Sequence, residues 1–420
     1  MILVALIALA SFSLVVAFRE RPIVWLSAGI ATLVFVPSVA TRAWLSGAGI
    51  FSEVHPAIWV FASGAIVSAL DARLRKGQSD AIWPLILAMF TWLGVCGLLI
   101  TLMWGSPASF VLFFAVPMTA FLAVVASRGQ ATVDHLVRAV LVIAAAQSVL
   151  AIAQWSLADA IFYEGYYATN YWWRPRLTRS LGTLDSPLDL ASFLTMSLPL
   201  ITRIRRAPVA VATAILISVG VFVTGSRVGI VVAAAVLAWV LVTRTRNFLV
   251  GILMSVSIAV GTIAFLASPF ASAILDRFGE RGDVSTGVRA AALDVGLAFV
   301  AAEPWAGRGP GASYGFSSSQ LQSSFENGYL SAAIDYGLPF AITLLVLQCW
   351  AVLRSSRIPL AIRLPGVLAI MWGFAYSSFL SGSAFGSLVW IFIGVGVIAA
   401  SPGARIRESG ARTGRRMSRA

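Results

Sequence analysis

The chain has 420 residues, of which 59% are hydrophobic and only 11% charged, and it carries a formal net charge of +13. A soluble globule would have about 25% charged residues, so this composition, with a mean hydropathy of +0.90, excludes a water-soluble protein and describes a polytopic membrane protein. The runs are continuous rather than alternating, which excludes a β-barrel and makes the expected fold an all-α helical bundle.

A crossing helix needs about 20 mostly apolar residues. In chain order the sequence offers thirteen such stretches: 2–18, 23–40, 56–70, 82–103, 107–126, 136–155, 187–202, 207–224, 228–243, 247–267, 328–353, 359–380 and 384–400. Several are short, so the count carries an error of one or two. Residues 2–18 read as a first span rather than a secretory leader, because no basic segment precedes them and arginines follow. Residues 1–400 form a single membrane domain, and the Arg-, Gly- and Ser-rich residues 401–420 read as a disordered basic cytoplasmic tail.

The thirty Lys and Arg test this layout. Twenty-one fall on one side of the spans against five acids, and nine fall on the other against twelve, giving +16 and −3. By the positive-inside bias the first side is cytoplasmic. The N-terminus is then outside, the C-terminus inside, and the excess charge reports orientation rather than nucleic-acid affinity. Two long loops lie outside, at 156–186 and 268–325. The first holds aromatic clusters at Phe162–Tyr167 and Tyr171–Trp173, suited either to a membrane-interface belt or to sugar stacking. The second is expected to contain a helix near Gly287–Ala302 and then a glycine-rich turn, Gly307-Arg308-Gly309-Pro310-Gly311, which reads better as a flexible turn than as a phosphate nest.

Candidate chemistry collects on that outer side. Arg227 is a lone cation between two spans joined by almost no loop. Its guanidinium either snorkels to anchor the helix end or forks onto phosphate oxygens. Arg289 is expected at the start of the loop helix, whose first amides also favour an anion. Arg179 stands in a Gly- and Pro-shaped turn, where Asp185 or Asp189 is its ordinary partner. Glu326 begins the eleventh span beside Asn327. It is either a helix cap or a general base, its pKa raised by partial desolvation, acting on a sugar hydroxyl. Asp335, further down that span, is an ionisable group in a membrane helix and hence a functional candidate. His55 and His135 lie on opposite sides and read as ordinary polar residues. No histidine or carboxylate cluster has metal-ligand spacing.

In order, Arg179-Ser-Leu-Gly182-Thr-Leu-Asp-Ser-Pro187, Thr224-Gly-Ser226-Arg227, Arg289 with Pro304-Trp-Ala-Gly307-Arg-Gly309-Pro-Gly311, Glu326-Asn327-Gly-Tyr329-Leu330 and Asp335-Tyr-Gly337-Leu338 resemble the O-antigen ligase and polysaccharide polymerase superfamily. The resemblance covers about Arg179 to Leu338. It implies a bacterial inner-membrane glycosyltransferase that moves a glycan from an undecaprenyl-diphosphate carrier to a glycan acceptor at the outer face. A chain-length regulator is a further candidate partner. The donor is already activated, so no cofactor is implied. Arg227 and Arg289 would hold the diphosphate and Glu326 would activate the acceptor. Arg179, Arg308, Asn327, Tyr329 and Asp335 would line the substrate site. Ligases typically carry histidine before the asparagine where this chain has Glu326, and an acid there is familiar among the polymerases. Polymerase is therefore favoured over ligase, with a lipid-linked sugar transporter or flippase as a more distant alternative.

Overall fold

The computed structural model describes residues 1–74, 83–105, 108–127, 130–168, 179–244, 280–321, 325–353, 359–380 and 383–398. The expected tenth span, the aromatic run at 171–173 and the basic tail lie outside the described residues. Among those described there is no strand, and the fold is an all-α polytopic membrane bundle.

In chain order the helices are α1 (Ile2–Ala17), α2 (Pro22–Phe35), α3 (Ser38–Trp44), α4 (Pro56–Leu74) and α5 (Trp83–Trp104), then α6 (Ala108–Ala126), which contains one wide turn at Val111–Ala115. They continue as α7 (Gln130–Leu157), α8 (Glu164–Tyr167), α9 (Pro187–Ser197), α10 (Ala207–Val223) and α11 (Arg227–Arg244). The last six are α12 (Glu280–Ala302), α13 (Ala312–Phe316), α14 (Gly328–Tyr336), α15 (Leu338–Leu353), α16 (Leu360–Gly373) and α17 (Ala384–Ile398).

Three described helices are long and apolar enough to cross a membrane, within α5, α6 and α7, and the bent α2–α3 pair makes a fourth if it counts as one span. Seven more apolar helices are shorter. The expected spans are shortened for local reasons. Pro37 precedes α3, which leaves α2 at 90°. The expected span 187–202 closes as α9 and then a 3₁₀ turn at Leu198–Arg203, where Pro199 cannot continue the α-helical ladder. The expected span 328–353 breaks at Gly337, whose φ of +90° ends α14.

At the centre stands α17, every residue of which is buried; it is apolar on all sides because helices surround it. It packs chiefly on α6 and α16. The N-terminal helices interlock reciprocally: a Cβ on Gly64 would lie 2.3 Å from the Trp25 ring and one on Gly29 2.7 Å from Phe61. Small residues thus let α2 and α4 approach closely, as van der Waals packing in a membrane demands.

Candidate functional site

The turn Arg179–Ser186 is built from the inside outward. Leu181 and Leu184 are fully buried, so the backbone between them needs internal partners. Two glutamines of α7 supply them. Gln154 Oε1 accepts from the amides of Leu181 (3.2 Å) and Gly182 (2.8 Å), and its Nε2 donates to the carbonyls of Ala160 and Gly182, both at 2.7 Å. Gln147 Oε1 accepts from Thr183 N–H (3.0 Å), and its Nε2 donates to the Thr183 hydroxyl (2.6 Å). Gly182 is obligatory, with φ +62° and a would-be Cβ 2.1 Å from Gln147 Oε1.

So held, the turn offers its ends to neighbours. Arg179 Nε donates to the Thr224 carbonyl at 2.8 Å, and Ser180 N–H donates to Val223 at 3.0 Å. These bonds tie the turn to the α10–α11 connection that carries Arg227. Asp185, offered above as a partner for Arg179, accepts from Val39 N–H at 3.1 Å. Ser226 caps α11 by accepting from Gly229 N–H at 3.1 Å, and half-buried Arg227 is the first helical residue. A cation at the positive end of a helix is electrostatically disfavoured. An anion there would meet both the guanidinium and the first-turn amides.

A second group forms where α12 crosses α14. Arg289 lies nine residues beyond the first residue of α12, because that helix begins at Glu280 and not near Gly287 as expected. The helix N-terminus therefore contributes nothing to an anion at Arg289, since the dipole acts within the first turn. Arg289 instead shares a stripe with Ala292, Gly296 and Phe299, three or four residues apart. That stripe packs on Phe325, Leu330 and Ile334, and a Cβ on Gly296 would meet Leu330 at 2.8 Å. The packing brings Arg289 Nε to 2.6 Å from Glu326 Oε2. Glu326 has φ +47°, left-handed and costly for a residue with a Cβ. Strained non-glycine residues cluster at functional sites.

The helix cap belongs to Asn327 rather than Glu326: its Oδ1 accepts from Leu330 N–H at 3.0 Å. Tyr329 is turned into the bundle, 6% exposed, with its hydroxyl donating to Gln348 at 2.6 Å. Asp335 is buried and accepts from Ser313 N–H at 2.6 Å, so it braces the glycine-rich turn. That turn is not the flexible one expected. Arg308 N–H donates to Ile334 (2.7 Å), Gly309 N–H to Asp335 (3.0 Å) and Leu338 N–H to Pro304 (2.7 Å). A Cβ on Gly307 would strike the Asp335 backbone at 2.6 Å, and one on Gly337 the Trp305 carbonyl at 2.3 Å. The exposed Arg308 side chain lies over Phe299 (4.0 Å) and beside Glu303 (3.6 Å).

The two groups are joined by a segment with no motif. The Tyr376 hydroxyl is 2.8 Å from Ser186 Oγ at the start of α9. Phe374 packs on Tyr329 with ring centroids 4.6 Å apart, and Ser377–Leu380 lies against α14. Gln147, Gln154 and Tyr376 were not among the expected site residues. The glutamines had a signal, seven residues apart on one face of an apolar helix; Tyr376 had none. Outside the site, His55 Nδ1 accepts from Ala57 N–H (3.2 Å), so Nε2 carries the proton and donates to the Val36 carbonyl (2.7 Å).

A family model described as O-antigen ligase matches residues 212–345. The matched segment runs from within α10 into α15 and contains Arg227, Arg289, Arg308, Glu326, Asn327, Tyr329 and Asp335, while Arg179 lies before it. The resemblance seen in the sequence is shown over that part of the chain. No curated protein and no solved structure matches it.

Proposed function

We propose that this chain, with its O-antigen-ligase-like segment at 212–345, is a membrane glycosyltransferase that polymerises undecaprenyl-diphosphate-linked glycan repeat units at the outer face of the cytoplasmic membrane. The observation that carries the reading is the contact of Arg289 with a conformationally strained Glu326. It joins a phosphate-binding group and a proton acceptor at one point.

The pair suggests an order of events. Without donor, Arg289 occupies the carboxylate of Glu326. An arriving diphosphate offers Arg289 a more highly charged acceptor that a guanidinium grips bidentately, and the guanidinium turns to it, with Arg227 as the second diphosphate ligand. Glu326 is then released to take the proton of the acceptor hydroxyl as its oxygen attacks the anomeric carbon. The C–O bond to the diphosphate breaks, and the leaving charge is neutralised by arginines already in place, a form of electrostatic stabilisation that is usually the largest catalytic contribution. Donor binds first, acceptor second. The base sits at residue 326 and not on an imidazole, which favours repeat addition over the ligase reaction.

The test is incubation of the purified protein with undecaprenyl-diphosphate-linked repeat units from the producing cell, with products resolved by mass. A ladder spaced by one repeat, lost in Glu326→Gln, is expected. Single transfer to a supplied acceptor with no ladder would make the enzyme a ligase. Neither product would remove the transferase reading and leave lipid-linked sugar transport.

A further inference from the structure

Away from this site, three aromatic residues meet at the end of α3. Trp44, Tyr163 and Tyr166 form a triangle with ring centroids 6.2, 6.1 and 6.3 Å apart, and Trp44 Nε1 donates to the Tyr166 hydroxyl at 2.9 Å. Trp44 keeps 43% of its surface exposed. The loop that brings the tyrosines there is strained. Ala158, Ile161 and Tyr163 have φ of +54°, +64° and +62°, conformations that cost an L-residue about 1–2 kcal/mol each. Ile161 N–H is held by Asp159 (3.1 Å) and the Ala160 carbonyl by Gln154 (2.7 Å).

This shelf is fixed to the turn carrying Arg179. Val39 N–H in α3 donates to Asp185, and the Tyr167 hydroxyl donates to the Leu184 carbonyl at 3.1 Å. Gln154 holds both the shelf loop and the turn. The surroundings are acidic: Asp159 and Glu164 are exposed, and Glu53 pairs with Arg42 at 2.8 Å, both largely open to solvent. Exposed carboxylates are expelled from hydrocarbon and repel anionic headgroups. A lipid is thus a poor occupant, whereas a saccharide offers an apolar ring face to tryptophan and hydroxyl donors to carboxylates.

We propose that the Trp44–Tyr163–Tyr166 shelf binds the glycan of the lipid-linked donor, stacking a sugar ring on Trp44 while the attached diphosphate lies toward Arg179. Donor rather than acceptor is the occupant because the shelf shares its scaffold with the arginine turn and not with Glu326. The inference rests on the reading that the chain takes a lipid-linked glycan, and its test separates the two.

The probe is the repeat-unit oligosaccharide freed from its lipid diphosphate by mild acid, titrated by calorimetry onto the full chain in detergent. Wild type binds. Trp44→Ala weakens binding by about tenfold, the scale of one lost aromatic contact. Tyr163→Leu keeps packing volume without the aromatic face and serves if Trp44→Ala does not fold; it weakens binding by about threefold. In the transfer reaction Trp44→Ala raises KM for the donor and leaves kcat nearly unchanged. Unaltered binding in folded Trp44→Ala and Tyr163→Leu overturns the proposal. So does intact glycan binding with lost partition into phosphatidylglycerol bilayers, which assigns Trp44 to the interface belt. A chain that binds the oligosaccharide through Trp44 but forms no product refutes the transferase reading and leaves the shelf standing.

Discussion

Replacing Glu326 separates chemistry from stability, because the structure gives opposite expectations for the two. Arg289 and Glu326 are 44% and 24% exposed in their side chains. At that exposure an ion pair contributes only about 0.2–1 kcal/mol, so Glu326→Gln costs little stability. The backbone effect is larger. At φ +47° a residue with a Cβ is disfavoured by about 1–2 kcal/mol, and glycine is not, although it gains freedom in the unfolded chain. Glu326→Gly is therefore more stable than Glu326→Ala by about 1 kcal/mol, and it lies near the wild type once the lost ion pair is counted. Activity follows another order. All three variants lose the proton acceptor, and kcat falls by about 10²–10⁴-fold in each. The assay is a comparison of thermal midpoints in one detergent at one scan rate, beside the product ladder. If Glu326→Ala is as stable as Glu326→Gly, the left-handed conformation is wrong. If any of the three retains near-normal turnover, Glu326 has no part in the chemistry.

Gln154→Leu leaves the amides of Leu181 and Gly182 buried without acceptors; at about 1–3 kcal/mol for each orphaned group it lowers the melting midpoint sharply and raises KM for donor through Arg179. Asp335→Asn retains an oxygen for Ser313 N–H and keeps activity within about threefold, a modest loss of one charge-assisted bond, whereas Asp335→Leu inactivates; equal loss in both would return Asp335 to the substrate. His55 is buried and its pKa lies below the ordinary 6.5, chiefly through desolvation. The unfolded chain therefore takes up a proton there as pH falls below about 6.5 while the folded chain does not, and stability present above that pH is lost below it. The thermal midpoint should fall between about pH 7 and pH 5, and less steeply in His55→Gln; an identical slope in both would show that another group is responsible.

What the sequence revealed of the site follows the range over which each signal acts. Apolar runs locate helices because burial needs them wherever they end up, and Gly and Pro locate the ends: Pro37, Pro199 and Gly337 stand at the three breaks that shortened the expected spans. The start of α12 was missed for the converse reason. Glu280-Arg281-Gly282-Asp283 is polar and contains a glycine, so nothing local announces a helix, and the apolar stripe becomes visible only from Ala292 onward. That stripe nonetheless carries Arg289 on the face meeting α14, so the 37-residue gap to Glu326 is closed by helix periodicity and packing rather than by any motif. Polar satisfaction is harder to read. Asn327, Tyr329 and Asp335 stood out as polar residues near Glu326, and each has a polar atom engaged by a cap, a glutamine or a backbone amide. In hydrocarbon an unpaired polar group is so costly that most polar side chains must be structural first. Two residues instead hold positions that are themselves unfavourable: Arg227 at the positive end of α11 and Glu326 in a left-handed turn. In the proposed reaction a bound diphosphate would offset the first cost and an attacking hydroxyl would make use of the second.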